Sequence, residues 1–371
     1  MMAEKGYFVF HLPLWLTRTM LYNMVNLIRH MPLLSDPLET DGVIFLADMI
    51  DVTESNKEFP DRRDLEKTTP QARDDVLGGL QEAGYRAHHL EHPSSLTNDL
   101  SWSRRHVVLS TYGGEIARSR TSWAPAICEA YGIPYVGLDA YGQSLCHSKM
   151  AAKQLAKQSR LKTPRAREYH TIEEIRHIDD WAYPVIVKPS AEGSSIGISQ
   201  ASIVNSAEML KRTAEGLLAV LDASIMIEEF VPGREVSVAV IQGPNGAYSS
   251  FNEVTVDGEP DYFRNRVWDA HEKYHRDLPR RVRSIDDELK DEDRCAIGRF
   301  LTALGDFGYI RIDGRLQDGC FHFLEATPDA WLGQGGQLAQ GFVNDGWTYP
   351  EVLAAIIETA RTRLPNPTAT G

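Results

Sequence analysis

"YPVIVKPSAEGSSIGIS", residues 183–199, sets Lys188 in an apolar run and follows it with a loop of glycines and serines. Val185, Ile186 and Val187 read as a buried strand. An ammonium there is expensive unless an anion or a carboxylate meets it. Gly193 and Gly197 permit close backbone approach, while Ser194 and Ser195 add hydroxyl and amide donors, the makings of a phosphate cover. Taken alone, the stretch also reads as a mobile hairpin with a snorkelling edge lysine.

Further along, "IMIEEFVPGREVSVAVI" (225–241) gives two strands joined at Pro232–Gly233. Glu228 and Glu229, then Phe230 and Val231, make a polar-edged apolar slot of the kind an adenine ring needs. Glu235, seven residues after Glu228, is placed to accept from ribose hydroxyls. A plain charged strand end is the alternative. "YIRIDGRLQDGCFHFLEAT" (309–327) reads as a hairpin in which Arg311, Asp313 and Arg315 alternate with apolar residues, and Glu325 and Thr327 share a face. A two-residue Asp318–Gly319 turn sends Asp313 and Glu325 to opposite faces; a three-residue loop ending in a bulge pairs them. Facing carboxylates repel unless a cation lies between them, and Mg²⁺ bound by carboxylates and phosphates meets that need. Arg311, on the same face, is suited to phosphoryl oxygens.

Upstream, "GVIFLA", "YRAHHLE" and "HVVLST" read as strands, with "IPYVG" as a fourth. A helix opens at Thr69, with Pro70 in its first turn, and another lies around "APAICEAYG". This is a doubly wound, Rossmann-like α/β unit lacking both G-x-G-x-x-G and the P-loop motif. "SKMAAKQLAKQSRLKTP" begins a new region as a basic amphipathic helix. "WLTRTMLYNMVNLIRHM" (15–31) has helical periodicity and suits a domain edge or a dimer contact.

With 371 residues, 42% hydrophobic, the chain is long enough for two or three domains. Its net charge of −13 opposes a phosphate-backbone partner and argues against nucleic acid. "GYFVFHLPLWL" is broken by His11 and Pro13, which argues against a membrane span or secretory signal and for a cytoplasmic protein. Four dispersed cysteines read as reduced packing residues.

From about Gly132 to Leu338, "GIPYVG", "PVIVKPSAEGSSIG", "IEEFVPGREVSV", "RID" and "LEA" occur in the order and approximate spacing of the ATP-grasp ligases. The chain resembles the D-alanine:D-alanine ligases most closely among them. The resemblance implies an N-terminal domain over 1–142, a central ATP-grasp lobe over 143–235 and a C-terminal lobe over 236–371, the two lobes sandwiching ATP. It implies Lys149 and Lys188 on the phosphates and Ser194 and Ser195 on the covering loop. Glu228, Phe230 and Val231 border adenine, and Glu235 meets the ribose. Asp313, Glu325 and Thr327 hold one or two Mg²⁺, with Mn²⁺ as a substitute. Arg311 and Ser195 serve catalysis, with Lys273 and Tyr274 on a mobile loop. The partners it implies are an amino-acid-like carboxylate and an amine, joined as an amide through an acyl phosphate with release of ADP and phosphate; a homodimer is the family's frequent assembly.

The departures fall on the amino-acid side. The family's glycine-rich first loop with its amine-gripping glutamate is replaced by "IDVTESNKEFPDRRD", where Asp51 or Glu54 is the nearest substitute. H-G-x-x-G-E-D-G is reduced to "STYGGEIARS", keeping Gly114 and Glu115. E-A-N-T-S-P-G becomes "EATPDAWLGQGG", with Thr327 for the metal-binding asparagine and Asp329 as an assistant. The expectation is therefore a ligase with an altered amino-acid pocket, ahead of an authentic D-alanine:D-alanine ligase and a non-catalytic ATP-binding regulator. "HEKYH" (271–275) formally matches a zinc-protease motif, but its charged surroundings and Pro279 oppose a buried zinc helix.

Overall fold

The computed structural model describes residues 27–28, 40–50, 63–114, 118–175, 180–221, 224–244, 246–274 and 278–363. Its strands, in chain order, are β1 (Leu27–Ile28), β2 (Gly42–Leu46), β3 (Ala87–Leu90), β4 (His106–Ser110), β5 (Ala166–Tyr169), β6 (Val185–Pro189), β7 (Ile203–Val204), β8 (Ile225–Glu229), β9 (Arg234–Gly243), β10 (Gly246–Val256), β11 (Arg280–Ser284), β12 (Tyr309–Gln317) and β13 (Cys320–Thr327). They form three sheets.

The first sheet is parallel, in the order β3-β2-β4. Every residue of β2 is buried, as a strand covered on both faces requires. Val43 and Phe45 face one core with the helix Pro70–Glu82, whereas Ile44 and Leu46 face another with the helix Trp123–Tyr131. Thr69 caps the first helix by accepting from Ala72 N, ahead of Pro70. The expected fourth strand at "IPYVG" shrinks to one bridge, Tyr135 to Val108. Pro134 has no N–H to donate, and Gly137 at φ +99° turns the chain away.

The second sheet is antiparallel, β5-β8-β6-β7, and packs against the helix Ala207–Val220. The third runs β1-β10-β9-β12-β13, with β11 added on β10; only β1 pairs in parallel. One face of it shares the core of the first sheet through the helices Gln337–Asn344 and Tyr349–Glu358. The other buries Ala152 and Ala156 of the helix Lys149–Gln158 and Ile297, Phe300 and Leu301 of the helix Asp291–Leu304. Leu27 and Ile28, read from sequence as helical, are strand; the rest of that stretch lies outside the described residues. Among the described residues no helix is long and apolar enough to cross a membrane.

Candidate active site

The hairpin β12–β13 is built by two devices. Asp318 and Gly319 turn the chain in two residues, both at positive φ (+51° and +67°), the geometry that matches strand twist. Pairing then runs regularly from Gln317↔Cys320 to Gly314↔Phe323, skips Leu324, and resumes with Asp313↔Glu325. The acids therefore meet, but through a tight turn plus a bulge rather than a three-residue loop. The bulge also brings Leu324 and Glu325 to the same cleft, while Phe323 is fully buried in the opposite core. Gly314 is required beside it, because a Cβ there would meet the Phe321 ring at 2.5 Å.

Most of the charge in this cleft is paired. Arg311 holds Asp313 in a two-pronged contact, Nε to Oδ1 at 2.6 Å and Nη2 to Oδ2 at 2.8 Å, and the Thr327 hydroxyl donates to Oδ2 at 3.2 Å. Lys149 Nζ lies 3.0 Å from Glu325 Oε2. Burial works to raise the Glu325 carboxyl, but Lys149, Lys188 and Lys273 hold it down at about 2. Lys188 Nζ donates to Glu228 Oε1 at 3.0 Å, and Lys153 closes on Oε2 of the same carboxylate. Burial opposes ionisation of Glu228, and its two lysines overcome that, holding its carboxyl below the usual range. Burial draws Lys153 down to about 8. Lys153 escaped the sequence reading. Its signal was the i, i+4 spacing from Lys149 on a helix whose Ala152 and Ala156 face the core.

Lys149, Lys188, Glu228, Arg311, Asp313 and Glu325 line a cleft of about 110 Å³ between the second and third sheets. Ile186, Phe230, Val231 and Leu324 supply its apolar part. Glu235, whose carboxyl burial pushes up, lies 3.1 Å from Arg315 Nε. Arg315 in turn donates to the carbonyls of Gly233, Phe263 and Arg266 and stands 5.6 Å over the Phe230 ring.

Ser194 and Ser195 both adopt left-handed backbone (φ +47° and +60°), a strained pair that neighbouring contacts must hold. Ser195 Oγ donates to Trp268 O at 2.7 Å. Gln200, five residues on, donates to Val267 O (2.7 Å) and Asp269 Oδ2 (3.0 Å) and accepts from Val267 N (3.2 Å). Asp269 Oδ1 accepts from Glu272 N, so Gln200 latches the covering loop to the short helix Ala270–Tyr274. Lys273 of that helix lines the cleft, 5.1 Å from the Trp268 ring centre, its pKa lowered by burial and by Arg311. The Tyr274 side chain and His275 lie outside the described residues. Glu272 of the zinc-like motif is buried against Arg266 and Tyr262.

The covering loop also touches the first domain. Gly193 N donates to Glu66, and Arg120 Nη2 binds both Glu66 (2.6 Å) and Glu192 (2.9 Å). His147, pulled down to about 4 by burial, lies in the same charged neighbourhood. Gly113 N and Gly114 N donate to the Asp48 carboxylate at 2.9 and 3.0 Å. Glu66, Arg120 and Asp48 had no sequence motif to announce them. Asp51, Glu54 and Glu115 lie outside the described residues.

Residues 156–358 match the family described as D-ala D-ala ligase C-terminus. The chain is 27% identical over 260 residues to the D-alanine–D-alanine ligase of Thermotoga maritima, covering 68% of this chain and 79% of the relative. The corresponding Aquifex aeolicus enzyme is 26% identical over 286 residues, 76% and 92% of the two chains. The crystal structure of the Bacillus anthracis D-alanine–D-alanine ligase superimposes with a TM-score of 0.65 at 19% identity, covering 87% of this chain and 98% of that one. A D-Ala:D-Ser ligase from Enterococcus faecalis gives 0.61 at 18% identity, covering 86% and 99%. With more than half its length inside the family match, the chain belongs to the D-alanine–D-alanine ligase family of ATP-grasp enzymes, ADP-forming ligases of carbon–nitrogen bonds.

Proposed function

We propose that this protein activates the carboxylate of an amino-acid-like donor with ATP and joins it to an amine through an acyl phosphate, using an amino-acid pocket diverged from that of its relatives. The observation that carries the reading is the ladder pairing of Asp313 with Glu325 in one cleft with Lys149, Lys188 and Arg311. Adenine fits the slot of Ile186, Phe230, Val231 and Leu324, with Glu228 at its polar edge and Glu235 beside the ribose. Residues 143–235 and 236–371 act as the two lobes around ATP, and residues 1–142 close the amino-acid side.

The donor set suits a hard divalent ion: two carboxylates on neighbouring strands, each now balanced by one cation, with the Thr327 hydroxyl against Asp313. Asp313 and Glu325, with Thr327, would hold Mg²⁺, which supplies charge neutralisation on the phosphate oxygens. Lys149 and Lys188 orient the phosphates. Arg311 stabilises charge on the transferred group and on the carbonyl oxygen as the amine attacks. Ser195 and Gln200 keep the loop shut over Lys273, which excludes water from the acyl phosphate.

The test is ADP release from Mg-ATP over a panel of D- and L-amino acids with hydroxylamine present. A hydroxamate dependent on one acid is expected and names the donor. ADP release without hydroxamate from any acid would overturn the acyl phosphate.

A further inference from the structure

Resting on the ligase reading, we propose that Arg120 is a positioning residue: by pairing Glu192 of the covering loop with Glu66 of the first domain, it sets the closed position of that loop. Glu66 ends the short turn Arg63–Glu66, Arg120 opens the turn Arg120–Ser122, and Glu192 lies two residues before Ser194. Arg120 Nη2 is 2.6 Å from Glu66 Oε2 and 2.9 Å from Glu192 Oε2, with only 7% of the arginine side chain exposed.

One guanidinium nitrogen thus serves two carboxylates in a largely buried place. Burial pushes the Glu192 carboxyl up, Arg120 pulls it back down, and Glu66 repels it. The closed loop therefore holds Glu192 against its own electrostatic preference, with Arg120 as the counterweight. Take the guanidinium away and two acids face each other across the contact. The easiest relief is for Glu192 to swing out to water and carry the loop with it.

Two further contacts fix the same stretch. Glu66 Oε1 accepts from Gly193 N, and a Cβ on Gly193 would run into that oxygen, so the glycine keeps the seat open. Lys149 Nζ donates to the Glu192 carbonyl and also pairs with Glu325, the acid that faces Asp313. Ser194 and Ser195 follow with their left-handed backbone, which neighbouring contacts must hold. Ser195 and Gln200 fasten one end of the loop to residues 267–269, while Arg120 and Glu66 fasten the other to the first domain. A loop fastened at both ends keeps water from an acyl phosphate better than a loop fastened at one.

Hydrogen–deuterium exchange on the full chain with Mg-ADP reads the loop without turnover. In Arg120→Met, the amides of residues 191–198 should exchange about tenfold faster, while β2 and β9 keep their wild-type rates. Arg120→Lys, whose ammonium can still lie between the acids, should stay within about threefold of wild type. Glu192→Gln leaves Arg120 on Glu66 and should speed the same amides about threefold. With the acid that yields hydroxamate, Arg120→Met should release about tenfold more ADP per amide formed, and Arg120→Lys should restore the ratio. If Arg120→Met loosens the whole chain, Glu192→Gln decides: acceleration confined to the loop supports the proposal, and any other pattern overturns it. Unchanged loop exchange in both variants overturns the positioning role and leaves the ligase reading standing. ADP and amide falling in strict proportion, without rescue by lysine, makes Arg120 merely structural and also overturns it. No ADP release from the wild type with any acid overturns the ligase reading, while the loop amides still decide whether Arg120 holds the loop.

Discussion

The cleft of Asp313 and Glu325 and the small cavity lined by Thr121 and Asp329 treat buried polar groups in opposite ways. In the cleft three of the acids already have a cation: Glu228 has two lysines, Asp313 has Arg311, and Glu325 has Lys149. In the cavity, Thr121 Oγ1 is buried with no hydrogen-bond partner among the described residues. A ligand entering the cleft must exchange one set of charge contacts for another, which favours precise orientation over raw affinity. A donor reaching Thr121 Oγ1 displaces no hydrogen bond among the described residues.

The comparison can be broken first at Arg311. Arg311→Met should lower kcat by about 10³-fold with the ATP KM changed far less, since the guanidinium acts on developing charge; equal changes in both would reduce it to a binding residue. Lys153→Met should destabilise the apo protein by about 3 kcal/mol, because Glu228 loses one of two buried cations. Urea unfolding measures this, and a neutral result would show the cleft's ion pairs to be slack.

His147 sharpens the boundary between the two regions. Unfolded, it takes a proton near pH 6.5; folded, burial delays this to about 4. Between those values the unfolded state binds more protons, so stability falls as pH drops from 6.5 to 4, by up to about 3 kcal/mol. His147→Gln should flatten that limb in unfolding curves, and an unaltered limb would place the acid sensitivity elsewhere.

Gln200→Leu should cut amide formation about tenfold, an effect of about 1.4 kcal/mol. ADP should still appear, now in excess over amide, as an unlatched loop lets water reach the intermediate. ADP and amide falling in strict proportion would remove the latch. The smallest effect is at Thr121: Thr121→Val should leave stability unchanged or raise it by about 1 kcal/mol, opposite in sign to Lys153→Met. A clear loss in thermal melting would mean that the hydroxyl is satisfied after all.

Much of the cleft was legible because its chemistry is local. Lys188 in an apolar strand announces a partner, and the alternation in β12 places Arg311 and Asp313 on one face. Lys153 was hidden because its partner Glu228 is 75 residues away in sequence, and only helix spacing hinted at it. Register was the hardest feature: turn type alone separates the acids, and the bulge at Leu324 that reunites them leaves no mark in residue type. Nor do Glu66 and Arg120 belong to any motif, while Asp329 stood in the segment matched to E-A-N-T-S-P-G only as an assistant to the metal. Their proximity follows from three elements meeting, which periodicity cannot report.

That bulge has a consequence for how the hairpin tolerates change. One surplus residue at Leu324 resets the in-and-out phase of β13, so the outer segment from Gly314 to Phe323 keeps its own count, independent of the end that carries Asp313 and Glu325. The tip at Asp318–Gly319 is thus insulated: residues added or removed symmetrically beyond the bulge lengthen or shorten the arm without turning Glu325 away from Asp313. Sequence drift at the tip and constancy at the base can coexist on one pair of strands, and the tip becomes a natural place to graft a foreign segment.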